Sequence, residues 1–215
     1  MNTKATLFIL IVILLLTMGI SLYAYNRFAE PVAVHWGPSG AADGFGSRFE
    51  GAFLVPIIAC GTALLMLALP AIDPLKANIA AFRREYNAFI LVFSAFMVYL
   101  HGLTILYNLG AIANLNRMLT PGFGLVIFYA GVLLQKAKRN YFIGIRTPWT
   151  LNSDTVWNQT HRRGALLFKA AGLISLLGIL FPNAAVYLLL FPVLAVSVYL
   201  IVYSYVLHRR EVHSS

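Results

Sequence analysis

Residues 170–208 read AAGLISLLGILFPNAAVYLLLFPVLAVSVYLIVYSYVLH, 39 positions without an Asp, Glu, Lys or Arg. A helix rises about 1.5 Å per residue, so about 20 apolar residues cross the hydrocarbon of a bilayer. This run is long enough to cross twice. Phe181-Pro182-Asn183 breaks it with a turn signal, which predicts spans near 165–181 and 184–206 joined by a tight hairpin.

Further uncharged runs lie at 5–26, 51–72, 86–116 and 118–135. The third predicts a helix over about Asn87 to Leu109 followed by a polar exit through Asn114 and Asn116; the others hold one span each. The expected fold is an all-α membrane protein, a bundle of six transmembrane helices, organised as an N-terminal hairpin (1–72) and a four-helix region (73–215). The first run reads as a retained helix. Its apolar core exceeds the ~7–15 residues of a signal peptide, and Tyr23-Ala24-Tyr25 offers no small-residue cleavage site.

Composition agrees. The chain of 215 residues is 60% hydrophobic and 11% charged, where soluble domains carry about 25% charged residues, and that excludes a water-soluble fold. The net charge of +9 would in a soluble protein point to nucleic acid; here it is a topology signal, with no direct nucleic-acid binding implied. With the N-terminus inside, Lys4, Lys76, Arg83, Arg84, Lys136, Lys138, Arg139, Arg146, Arg162, Arg163, Lys169, Arg209 and Arg210 fall on the cytoplasmic side, leaving only Arg27, Arg48 and Arg117 outside. Both termini are therefore expected in the cytoplasm. The single cysteine, Cys60, permits no internal disulfide and no cysteine metal cluster.

Two segments are more than connectors. The extracellular loop 27–50 is rich in glycine, at 37, 40, 44 and 46, and Val32, Val34 and Trp36 alternate as one face of a short strand would. His35, Trp36, Gly40, Asp43, Gly44 and Arg48 are its candidate site residues. His35 with Asp43 could bind a metal or sense pH, but a single distant pair favours loop-ordering hydrogen bonds. The cytoplasmic loop 136–164 carries Asn140, Gly144, Arg146, Thr147, Pro148, Trp149, Trp157, Thr160, His161, Arg162 and Gly164. Ser153-Asp154 predicts the start of a short interfacial helix reaching Arg163, with Trp157, His161 and Gly164 on one face. Arg146, between Gly144 and Pro148, could hold a carboxylate, a phosphate or exposed carbonyls. Its neighbours Trp149 and Trp157 suit the headgroup layer.

Within the spans His101 is the one clear ionisable side chain, a functional candidate by position and equally a helix-ordering hydrogen-bonder. No paired-His metal motif, phosphate-binding glycine loop or serine nucleophile elbow occurs, so no catalytic residue, metal or cofactor is expected.

The two loops resemble those of the SdpI-like bacterial membrane proteins, named for immunity to a sporulation-delaying peptide toxin. Val32-Ala33-Val34-His35-Trp36-Gly37, Gly40 and Asp43-Gly44-Phe45-Gly46-Ser47-Arg48 are similar to the domain of unknown function that opens these proteins. Gly144-Ile145-Arg146-Thr147-Pro148-Trp149-Thr150-Leu151, with Trp157, Thr160-His161-Arg162 and Gly164, resembles their signature inner loop. The resemblance implies a multi-pass plasma-membrane protein that protects its producer from a membrane-active peptide toxin and can hold a transcriptional repressor at the membrane. The competing reading is a transporter or lipid-processing enzyme with a polar pocket around Asn140, Arg146, Trp149, Trp157 and His161. On the predicted topology a C-terminal reporter fusion reads out as cytoplasmic; an extracellular signal rejects it.

Overall fold

The structure, a computed structural model, describes residues 2–214; Met1 and Ser215 lie outside it. Its elements are α1 (Thr3–Tyr25), a hairpin of β1 (Val32–Trp36) and β2 (Ala42–Gly46), α2 (Arg48–Ile72), α3 (Lys76–Ala80), α4 (Arg83–Asn108), α5 (Leu115–Lys136), α6 (Pro148–Asn152), α7 (Asp154–Leu176) and α8 (Ala185–Ser214). Among the described residues, five helices are long and apolar enough to cross a membrane: α1, α2, α4, α5 and the Pro182–His213 segment that contains α8. The sixth expected span corresponds to α7, whose polar first half carries Asp154, Arg162 and Arg163.

The helices are patterned for lipid. α1 buries Thr6, Leu10, Thr17, Ser21 and Ala24 and turns Phe8, Leu15, Leu16 and Leu22 outward, the reverse of a helix packed in a soluble core. The inward positions are mostly small or hydroxylated because bundle cohesion in lipid comes from close approach and hydrogen bonds. Ser21 Oγ lies 2.8 Å from His101 Nε2 and ties α1 to α4.

Glycine makes the tightest seam, between α5 and α7. A Cβ placed on Gly172 would come within 2.6 Å of the Phe128 nitrogen, and one on Gly131 within 2.7 Å of the Ala165 carbonyl oxygen. Ala171 and Ser175, the small residues expected to permit close packing, are buried on α7.

Two boundaries differ from expectation. The helix expected to stop at Arg163 runs on to Leu176 as α7 and continues as a 3-10 turn over Leu177–Ile179. No proline interrupts residues 154–176, and the flexible position, Gly164, is held between Ile145 and Leu200, so hydrogen bonding propagates through it. The short helix of the loop is instead α6, where Thr147 and Thr150 form a reciprocal cap and Pro148 takes the first turn. At the other end, α8 continues past 206 to Ser214.

The alternation at 32–36 does form a strand, antiparallel to β2, but the register is irregular on either side of His35. Val32 and Ala33 are both buried, so the strand does not alternate strictly.

Substituting Gly172→Val is expected to lower the unfolding temperature in detergent, because overpacking of this kind costs about 1–3 kcal/mol. Gly61→Ala, where nothing lies within 4 Å of the added methyl, serves as the control and should leave the unfolding temperature unchanged or higher.

Candidate functional site

The inner loop is irregular backbone wired by side chains. Asn140, fully buried, uses both ends of its amide. Its nitrogen donates to the Lys138 and Ile143 carbonyls at 2.8 Å each, and its oxygen accepts from the Phe142 and Ile143 amides at 2.9 and 2.6 Å. Two polar residues from the preceding helices reach the same turn. Asp73, the C-cap of α2, accepts from the Tyr141 amide at 2.8 Å and from the Leu75 amide at 2.6 Å. Asn78 on α3 donates to the Arg139 carbonyl at 2.8 Å. Arg139 in turn donates to the Leu151 carbonyl at 2.9 Å and pairs with Asp154, also at 2.9 Å. The loop is thus fastened to α2, α3 and α7.

Beneath this turn Trp157 and His161 form a buried pair. Their rings stack at 3.9 Å with 16° between planes, as the four-residue helical spacing allows. The indole nitrogen donates to the Ala137 carbonyl at 3.0 Å, beyond the end of α5. His161 Nε2 accepts from the Ile145 amide at 3.0 Å, which leaves Nδ1 to donate to the Trp157 carbonyl at 2.8 Å. That geometry selects one neutral tautomer. Gly144, at φ +119°, passes directly over the ring: an added Cβ would lie 2.4 Å from Nε2. His161 stands ahead of the apolar stretch of α7, and burial pushes its pKa down to about 4, against a smaller upward pull from the Trp157 carbonyl.

The remaining candidates sort by exposure. Thr147 and Thr150 are buried; Thr150 Oγ1 donates to the Ile145 carbonyl at 2.8 Å, and Thr147 Oγ1 meets Ser204 Oγ of α8 at 3.2 Å. Thr160 is buried and Gly164 packs against Ile145 and Leu200. Trp149 meets Tyr205 edge-on at 5.1 Å. Arg146 is exposed and donates to the Tyr141 carbonyl at 2.9 Å; Pro148 and Arg162 are also exposed. A transporter or enzyme reading requires a polar pocket enclosed by these residues. Instead Asn140, Trp157 and His161 are packed solid, and the nearby crevice of 300 Å³, bordered by Phe142 to Ile145, is otherwise lined mostly by apolar side chains such as Met66, Phe89 and Leu133.

The outer hairpin is fastened by the same chemistry. Asn108, the last residue of α4, brackets Ala33, accepting from its amide at 2.8 Å and donating to its carbonyl at 2.9 Å. Asn114 donates to the Ser39 carbonyl at 3.1 Å, and Asn116 to the Gly37 and Pro38 carbonyls at 2.9 and 3.0 Å. Gly40 needs its freedom twice, for φ +80° and because a Cβ would strike Asn114. Trp36 stands edge-on to Tyr107 at 5.3 Å, while the Tyr107 hydroxyl accepts from the Ala42 amide at 3.2 Å. His35 Nδ1 and Asp43 Oδ1 are 2.5 Å apart with both side chains largely exposed. Gly44 passes over His35, and the Arg48 amide donates to Glu30 at 3.0 Å. No group of three His, Cys, Asp or Glu side chains converges for a metal among the described residues.

Asp73, Asn78, Asn108, Tyr107 and Ser204 were not singled out from sequence. For Asp73, Asn78 and Asn108 the available signal was an amide or carboxylate near a helix end beside an uncharged run, where no water remains to satisfy it; Tyr107 and Ser204 gave none.

These features define a class: a multi-pass helical membrane protein with an amide-pinned hairpin at one end of the bundle and a sealed loop at the other. Residues 136–204 match the model described as the SdpI/YfhL protein family, and residues 12–60 match a domain of unknown function, DUF1648. The chain is 27% identical over 164 residues to the immunity protein SdpI of Bacillus subtilis (strain 168), covering 76% of each protein. The two family-model matches take in the β1–β2 hairpin and the loop that follows α5. No solved structure matches it.

His161 sets a pH dependence. The unfolded chain takes up a proton below the ordinary value of 6.5, the folded chain only near 4, so this stabilisation is complete above 6.5 and lost as pH falls through about 4. The unfolding temperature in detergent should fall across that window less steeply for His161→Gln than for the natural protein; parallel slopes would contradict a buried neutral imidazole.

Proposed function

We propose that this chain is a membrane immunity protein, with six spans and both termini in the cytoplasm, that counteracts a membrane-active peptide toxin met at the outer hairpin. The observation that carries the reading is the relationship to an immunity protein over three quarters of both chains, with the matches falling on the two elaborated loops. The geometry supplies a physical route between them. α5 starts beneath the outer hairpin, where Asn116 holds Gly37 and Pro38, and ends at Ala137, whose carbonyl receives the Trp157 indole. α7 is locked along it by glycine contacts. A toxin that favours one packing of this pair shifts the inner loop only by its differential affinity for the two states. The basic surface of that loop is where a cytoplasmic regulator, such as a transcriptional repressor, would be held.

Expression in a toxin-sensitive bacterium is expected to raise survival of a membrane-active peptide. Trp36→Ala and Arg146→Ala should each reduce that protection by about tenfold, equivalent to about 1.4 kcal/mol, at unchanged protein level. If no peptide is better tolerated and none binds the purified protein, the immunity reading fails. Loss of the Arg146→Ala protein from the membrane would mark Arg146 as a structural clamp on Tyr141.

A further inference from the structure

α7 and α8 pack side by side, and their outer face carries two hollows that share one residue. The first, of 470 Å³, is lined by Gln159, Arg162, Arg163, Leu166 and Tyr203. The second, of 310 Å³, is lined by Arg163, Leu167, Ala195, Val196 and Tyr199. Leu167 is one helical turn beyond Arg163. Val196 is seven residues from Tyr203, roughly 10 Å along α8. The second hollow therefore lies one to two turns deeper into the apolar part of both helices, and the pair makes one groove with a cationic head and a hydrocarbon floor.

Among the described residues, the arginines at its head have no carboxylate within ion-pair distance. The pairs His35 with Asp43, Arg48 with Glu30 and Arg139 with Asp154 lie elsewhere, and the Arg162 and Arg163 side chains are exposed. The guanidinium carbon of Arg163 sits 5.7 Å from the Tyr203 ring centroid, a cation–π contact that holds this charge at the junction of the two hollows. Adjacent guanidiniums at the edge of a bilayer match a phosphodiester, to which arginine donates in a planar fork. A basic pocket between membrane helices opening onto an apolar groove fits a headgroup joined to its acyl chain.

We propose that α7 and α8 bind an anionic phospholipid, its phosphodiester at Arg162 and Arg163 and one acyl chain along Leu167, Ala195, Val196 and Tyr199. A zwitterionic lipid would bring its own cation against the two arginines, and a soluble phosphate would leave the floor empty. The site stands on the charges and the groove alone and does not depend on the toxin reading.

The test is native mass spectrometry of the full chain released from detergent after titration with phosphatidylglycerol, with phosphatidylcholine of the same acyl chains, or with glycerol phosphate. Phosphatidylglycerol adducts should survive at about tenfold lower lipid than phosphatidylcholine adducts, and glycerol phosphate should not displace them. Arg162→Gln with Arg163→Gln is expected to abolish the difference between the lipids. Ala195→Phe, on an exposed wall of the groove, should weaken phosphatidylglycerol retention without touching the charges. Equal retention of the two lipids by the natural protein, displacement by glycerol phosphate, or undiminished phosphatidylglycerol retention in the folded Ala195→Phe protein overturns the proposal.

Discussion

A bilayer offers no hydrogen-bond partners, so any backbone that leaves the helical pattern near it has to be satisfied by the protein itself. In this chain the burden falls on a few side-chain amides and one carboxylate at or near helix ends. At one end of the bundle, Asn108, Asn114 and Asn116 hold the hairpin at Ala33, Gly37, Pro38 and Ser39. At the other end, Asn140, Asn78 and Asp73 close the loop at Lys138, Arg139 and residues 141–143. A primary amide donates and accepts at once, which is why asparagine can stand in for a missing peptide partner on both sides.

The sealed inner loop and the exposed arginines beside it have different physical roles. Asn140, Trp157 and His161 spend their hydrogen-bonding capacity on backbone groups of the loop, leaving nothing to present to a ligand. Their burial makes a rigid platform. Arg146 and Arg162 lie on its surface, where charge can meet solvent, lipid or another protein. Rigidity below and charge above is an arrangement suited to recognition, since ordering entropy is already spent before a partner arrives.

Much of the bundle was readable because the signal is compositional. Uncharged runs of spanning length are rare outside membranes, and α1, α2, α4, α5 and α8 fall where those runs lie. Glycine and proline punctuation marked the hairpin and the turn at Pro182. The continuous α7 was less legible: charges at Arg162, Arg163 and Lys169 look like a loop's residues, yet nothing in the backbone chemistry of 154–176 stops a helix once Ser153 has capped it.

The sequence by itself determined that this chain is built on apolar helices of membrane-spanning length, where α1, α2, α4, α5 and α8 lie, and which two loops carry unusual composition, because hydrophobic length and charge are local properties. Only the tertiary structure decided how those loops are held. The Tyr141 amide meets Asp73, Ala33 meets Asn108 and Gly37 meets Asn116 across 68 to 79 positions of sequence; no periodicity records such pairings. The same holds for His101, which finds Ser21 eighty residues away, and for Arg163 on Tyr203. Hydrogen bonds and ring contacts depend on angstroms between helices, and those distances exist only once the glycine seam of α5 and α7 has closed.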